Sequence, residues 1–543
     1  MDAMIAWRKK AALTAAALLV SSGAAVQAQD LESILDEAAG KPAQGATNQA
    51  ASAAKTYSAI YYAIQAQIKN PNPEQSLFIQ MLEAAEWDKA LLQYSVAFEG
   101  SDFQKSQDGR ALFALAHFKS GMPVTGLELL FQLEEPGKIH SEIRRLWKEA
   151  ATPAHHAWEL AQITWKPAFA EVFSPEVEFR VVARDFSKMK DPQALLSLFA
   201  RLPGQSIERA RAAWQMVIAY SLSNQVEEAA KVLAHVMKSK PAPVSRDLME
   251  LTAARLLYQR AMYAPAIKYY EKIGKSSEYW TDAQEEMAWA FIRKGEPQNA
   301  MAISKSLVTP AMVNQAGAEG FFVHSLSQLK VCDYPGVIDS LSEFSKRFKA
   351  RHAVLEKVNA GSETKQAGKV IELLKGAKIA RQNLGKEALG LPRLVSRDDR
   401  LFHFAQAQKH FEDEANAADV IYAKSLSTTG LQGYFDKLRQ STMMRSQSAS
   451  ANAQTRVKEL AKIESGEIKE ILRKLHIVEA EVIQQVSIAD RLIAKSGGPV
   501  TEKTGSTGSK AKDVLKFPAE KEFWFDEIGN YRVNVKKACQ ARG

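Results

Sequence analysis

Few residues in this chain have the types and spacing that do chemistry, and each has a plainer reading beside it. Ile273-Gly274-Lys275-Ser276 contains the Gly-Lys-Ser of a phosphate-binding loop, in which backbone amides and a lysine cradle phosphates. Tyr269 stands where such a loop has its first glycine, and the flanking pattern is helical on both sides, so nucleotide binding is not expected. His155 and His156 supply two imidazoles, but neighbours in a helix point to different faces and make a poor metal site. Glu285-Glu286 and Asp398-Asp399 are adjacent carboxylates. Read as acidic pairs at helix starts, they suit the positive end of the helix dipole better than acid–base catalysis. There is no GxSxG or HExxH motif, and no SxxK in a convincing setting. Cys332 and Cys539 are the only cysteines, too few for a Cys/His metal cluster. No catalytic residue, cofactor or metal ligand is therefore assigned, and the reading turns to the elements that would hold a binding surface.

The N-terminus reads as an export signal. Arg8, Lys9 and Lys10 form a basic region, Ala11 to Val20 a short apolar one, and Val26-Gln27-Ala28 a small-x-small cleavage site before Gln29. The apolar run is too short for a retained span, which needs roughly 20 residues. No cysteine follows the site to carry a lipid. The expectation is a periplasmic protein with no transmembrane segment in its mature part. In that oxidising compartment two thiols can pair. The chain of 543 residues is 46% hydrophobic and 24% charged, an ordinary globular composition. Its net charge of +9 is modest for that length, and nucleic acid is not an expected partner outside the cytoplasm.

The strongest pattern is a repeat near 34 residues. A small or apolar residue recurs at Ala90, Gly126, Leu160, Ala194, Ala229, Ala266, Ala300 and Val337, where a second helix would pack against a first. The best unit is 210–243. Ala213, Met216, Val217, Ala219 and Tyr220 follow one buried helical face, Asn224 makes a turn, and Val226, Ala229, Leu233 and Val236 supply the next helix. Tyr263, Ala266, Tyr270 and Ile273, then Ala288, Phe291, Gly295, Ala300 and Leu307, and then Tyr334, Val337, Leu341 and Phe344, are read as facing inward in later units. Around Leu160 and Ala194 the pattern is interrupted by Trp165 and Pro167. These residues match the tetratricopeptide pattern of paired antiparallel helices. Stacked units bury the faces that single ones expose and leave a concave surface suited to protein partners.

The expected organisation is a signal peptide at 1–28, a flexible linker at 29–55, an all-α tetratricopeptide-like solenoid at 56–390, long coiled-coil-like helices at 391–495, a second linker at 496–513, and an aromatic docking segment at 514–543. In the long helices Ile468, Ile471, Leu475, Val478 and Val482 keep a 3-4-3-4 seam. That seam suits either an intramolecular helical hairpin or an intermolecular coiled coil. The polar stretch Ser446 to Gln454 fits within one long helix or marks a hairpin. Phe523-Trp524-Phe525 and Tyr531 need a docking site, on the chain itself or on a partner.

Glu286-Met287-Ala288-Trp289-Ala290-Phe291 with Gly295, Cys332-Asp333-Tyr334, and Trp524-Phe525-Asp526-Glu527-Ile528-Gly529-Asn530-Tyr531 with Cys539 together resemble large tetratricopeptide proteins in the envelopes of gliding and predatory Gram-negative bacteria, over residues 210–543. The resemblance implies a periplasmic or outer-membrane-associated scaffold in a multiprotein envelope assembly, with gliding motility among its settings, and no enzymatic activity. Envelope proteins would bind the concave face. The other reading is an adaptor recruiting a peptidoglycan or polysaccharide enzyme. The place of the two cysteines in these motifs, with their number and compartment, leads to the expectation of a Cys332–Cys539 disulfide.

Overall fold

A computed structural model of the chain describes residues 64–183 (65, 66 and 69 excepted), 192–312, 315–362, 364–384, 390–425 and 432–495. The signal sequence, both linkers and the aromatic segment with Cys539 lie outside these residues, as does the side chain of Ala194. The described residues are all-helical, with no strand. No helix among them is long and apolar enough to cross a membrane.

The described residues fall into two units, 64–244 with 404–451, and 245–403 with 452–495. The first begins with α1 (Pro73–Glu83), α2 (Trp87–Phe98), the single turn α3 (Asp102–Lys105), α4 (Gln107–Lys119) and α5 (Pro123–Leu130). It continues through α6 (Ser141–Ala150), α7 (Ala157–Leu160), α8 (Pro175–Ala183), α9 (Pro192–Arg201), α10 (Ile207–Leu222) and α11 (Val226–Val236). Consecutive members of α1–α2, α4–α5 and α10–α11 lie side by side, and connections of three residues make each pair antiparallel. One core runs from Ile64 to Val181, with Phe78, Phe98, Trp147, Trp158 and Phe169 fully buried in it. Around Trp165 and Pro167 the pairing lapses into the four-residue α7 and a 3-10 turn, Pro167–Glu171, and Leu160 is only half-buried. Aromatic stacking fills this gap, with Phe131 on Phe169 at 4.0 Å.

The second unit holds α12 (Arg246–Gln259), α13 (Tyr263–Tyr270), α14 (Trp280–Lys294), α15 (Pro297–Val308), α16 (Glu319–Lys330), α17 (Tyr334–Asn359) and α18 (Thr364–Gly376), each of the first five packed on the next. Two long helices follow, α19 (Asp399–Ser425) and α20 (Gln432–Lys495), and each contributes residues to both units. Of the two readings of Ser446–Gln454, the single helix is the one observed, because α20 runs unbroken through it. In the first unit, Ala418 and Ile421 of α19 and Phe435 of α20 join the core of the hairpins. In the second, Val478 and Val482 of α20 pack with Val337 of α17. The seam residues Ile468, Ile471, Leu475, Val478 and Val482 are all buried by this chain's own residues. At Val478 and Val482 the seam is thus covered by α17 of the same chain.

Polar side chains pin α20 in the second unit. Asp398 is 1% exposed and accepts the Leu401 N–H as the cap of α19. It also takes both Nε and Nη2 of Arg456, at 3.0 and 2.8 Å. Glu464 accepts from Arg351 and from the Arg393 backbone. Asp398 therefore serves a helix start, as its sequence suggested. Glu285-Glu286 does not. Both lie in the middle of α14. Glu285 accepts the Gly317 N–H at 3.1 Å, and Glu286 takes a two-pronged bond from Arg255, at 2.8 and 2.6 Å, plus the Tyr270 hydroxyl. They are pairing groups, Glu285 buried and Glu286 half-buried, a role that sequence adjacency cannot reveal.

Candidate functional site: a recurring helical turn

The feature that organises both units is a turn. Six times among the described residues, one helix ends on a residue in the left-handed region and the next begins at once. The residues are Ala85, Gly121, Asn224, Ala261, Gly295 and Cys332, with φ between 56 and 88°. After each, the next N–H reaches back five residues to a carbonyl: Glu86 to Met81, Met122 to His117, Gln225 to Tyr220, Met262 to Leu257, Glu296 to Phe291 and Asp333 to Gln328, all within 2.8–3.0 Å. This is the Schellman cap, which satisfies the carbonyls that a helix end leaves orphaned. The residue carrying that N–H has ψ of 60–70° in every case, aiming the chain into the second helix. The same cap closes α17 at Gly361.

Five residues past each of the six turns, always at the fourth position of the second helix, lies a small or short side chain. Ala90, Gly126, Ala229, Ala266, Ala300 and Val337 occupy these places, and all are buried. At Gly126 the approach is closest, since a Cβ there would stand 2.7 Å from both the Ala114 carbonyl oxygen and Phe118 Cβ. The turn fixes the angle between the helices and the small residue fixes how near they come. Gly295 belongs to the first set. It is exposed with φ +86°, and the reading that faced it inward is corrected by its place in the turn.

The remaining candidates are dispersed. The Gly-Lys-Ser stretch lies in the loop between α13 and α14, with a helix on each side. His155 and His156 precede α7, and among the described residues no group of three or more His, Cys, Asp or Glu is arranged to hold a metal ion. Cys332 sits half-buried in the turn between α16 and α17, and its expected partner Cys539 is outside the described residues. Sequence reasoning missed Glu414. It is 1% exposed on α19 and accepts the Thr125 N–H at 2.9 Å. Met122, at the start of α5, makes no side-chain cap, so the cap comes from a residue 289 positions away. Burial pushes the Glu414 carboxyl up to about 7. A capless helix start was the one signal that could have prompted a search for it.

Comparison with protein-family models, with curated proteins and with solved structures finds no match for this chain. The functional reading therefore rests on the turns, the surfaces they build, and the sequence.

Proposed function

We propose that the chain is a tetratricopeptide-type helical-repeat scaffold that acts in the bacterial envelope by binding other proteins. The observation that carries this reading is the sixfold recurrence of one turn with one small residue at a fixed distance after it. Repetition of a hairpin yields an extended surface, and extended helical surfaces serve protein partners. The N-terminal 28 residues supply the compartment as an export signal, and peripheral outer-membrane association and a part in gliding motility follow from the resemblance noted in the sequence. A Cys332–Cys539 disulfide belongs to the same proposal. It would clamp the chain's end at the turn before α17, and closing a loop of that length is worth several kcal/mol, about 4–5.

The test is crosslinking of a C-terminally tagged chain in intact cells of its source, followed by mass spectrometry. Defined envelope proteins crosslinked to α10–α17 are expected. A chain that crosslinks to nothing, or that stays uncleaved in the cytoplasm, defeats the proposal. Capture of peptidoglycan or polysaccharide enzymes alone would make it an adaptor for them. Thiol titration of protein purified without reductant is expected to find no free thiol, and two free thiols would remove the disulfide.

A further inference from the structure

Three imidazoles meet where the loop before α7 touches α19. The His155 and His156 rings lie 4.5 Å apart, and the His156 ring lies on that of His410 at 3.6 Å with 12° between their planes. Phe118 of α4 lies tilted against His155 at 4.8 Å. The trio joins residues some 250 positions apart in sequence, and it is part of what holds α19 against the hairpins of the first unit.

Half-buried rings gathered this closely favour the neutral state, chiefly because burial strips water from a charged one. An imidazolium in the stack would lie against rings whose own protonation it opposes, and would lose water it needs. Burial comes first in holding His155 and His410 down to about 4, and it lowers His156 as well. The charged groups that face the trio divide by element. Lys119 on α4 opposes a charge on His155 and Lys409 on α19 opposes one on His410. Glu159 on α7 and Asp413 on α19 favour a charge on His156. His156, the middle of the stack, is thus the ring beside which the carboxylates lie. All three are half-buried, so protons reach them without global unfolding, unlike the fully buried His117 and His324.

Other contacts that hold α19 and the start of α20 to this unit do not depend on these rings. Lys424 pairs with Asp88, Arg445 with Glu128, and Glu414 accepts from Thr125. His117 accepts from the Tyr434 hydroxyl at 2.8 Å, and its Nδ1–H donates to the Phe113 carbonyl. Acid reaches the half-buried stack more readily than the fully buried His117, and the Lys424, Arg445 and Glu414 contacts involve no imidazole.

We propose that the His155–His156–His410 stack is an acid-opened clasp: neutral rings hold the 404–425 stretch of α19 on the hairpins of its unit, and protonation of the stack lets that stretch open while the rest of the unit stays folded. Hydrogen–deuterium exchange of the full chain, corrected for intrinsic rates, tests this between pH 7.5 and 4.5. Peptides from 404–425 are expected to gain about tenfold or more in opening at the acid end, ahead of peptides from α4 and α10. His410→Phe keeps a ring in the stack that cannot take a proton, and should abolish the acid step. His156→Phe should do the same and serves if the first variant folds poorly. An acid step that persists in these variants, or that appears equally in α10, overturns the clasp. So does histidine-specific exchange on the unaltered protein if His156 and His410 titrate near the ordinary 6.5.

Discussion

A left-handed residue without glycine carries a cost, and four of the six turn positions carry it. Ala85, Asn224, Ala261 and Cys332 all have φ near +60°, where a Cβ crowds the next carbonyl. Asn tolerates this best, whereas alanine and cysteine do not. Ala261→Gly is therefore expected to raise stability by about 0.5–1 kcal/mol, read as a higher urea midpoint at unchanged slope, and Asn224→Ala to lower it by a similar amount. A fall in the midpoint for Ala261→Gly would mean that the turn does not have this conformation. At Gly126 the sign reverses. Alanine is the better helix former by about 1 kcal/mol, yet its methyl would meet a carbonyl oxygen and Phe118 Cβ at 2.7 Å. Contact at that distance outweighs propensity, and Gly126→Ala should cost about 1–3 kcal/mol. A neutral result would show that α4 and α5 can part without loss.

At the scale of elements, α5 is capped from outside itself, and the cap titrates. The folded state raises the Glu414 carboxyl from 4.5 to about 7 by burial. A raised carboxyl is protonated more in the folded than in the unfolded chain between those values. Its contribution is therefore complete below pH 4.5 and is lost as pH rises through 7. The histidines run the other way. His117 is held down to about 4 and His324 to about 3, both by burial. Their contribution is complete above 6.5 and is lost as pH falls from there towards the folded values. Glu414→Gln keeps an acceptor for the Thr125 N–H and removes the charge. It should gain on the wild type as pH rises from 5 to 9, by about 1 kcal/mol or more at the upper end. Urea midpoints across that range check it, and a difference that does not change with pH would show that Glu414 is not the group responsible.

For the molecule as a whole, α20 is the shared element, since each unit buries part of it. One stripe of buried positions runs along it through Phe435, Thr442, Ser446, Ala449, Ala453, Val457, Leu460, Glu464, Ile468, Ile471, Leu475, Val478 and Val482. Removing residues 432–543 would uncover apolar partners in both units, Leu329 and Val337 in one and the ring of Phe113 in the other. The truncated chain is expected to bind a hydrophobic dye and to unfold at lower urea than the full chain. An unchanged midpoint would show that the hairpins stand without the helix.

Much of this was written in the sequence by itself, because a helix facing a neighbour at a fixed angle needs a small residue at a fixed place. That local demand made Ala229, Ala266 and Ala300 visible at steps near 34, and it made Asn224 legible as a turn. The seam from Ile468 to Val482 was equally plain, since each of its residues is large and apolar. The tertiary structure decided what covers that seam, because hydrophobic pattern says that a face is buried and not by what. It also decided the stripe at Thr442, Ser446, Ala449 and Ala453. Small and polar residues there let α20 lie close to its neighbours, so burial left no hydrophobic signal. Glu414, the Arg456–Asp398 pair and the stacking of His410 on His156 join residues between 58 and 289 positions apart. Contacts at such distances depend on where helices return to, and no spacing along the chain encodes them.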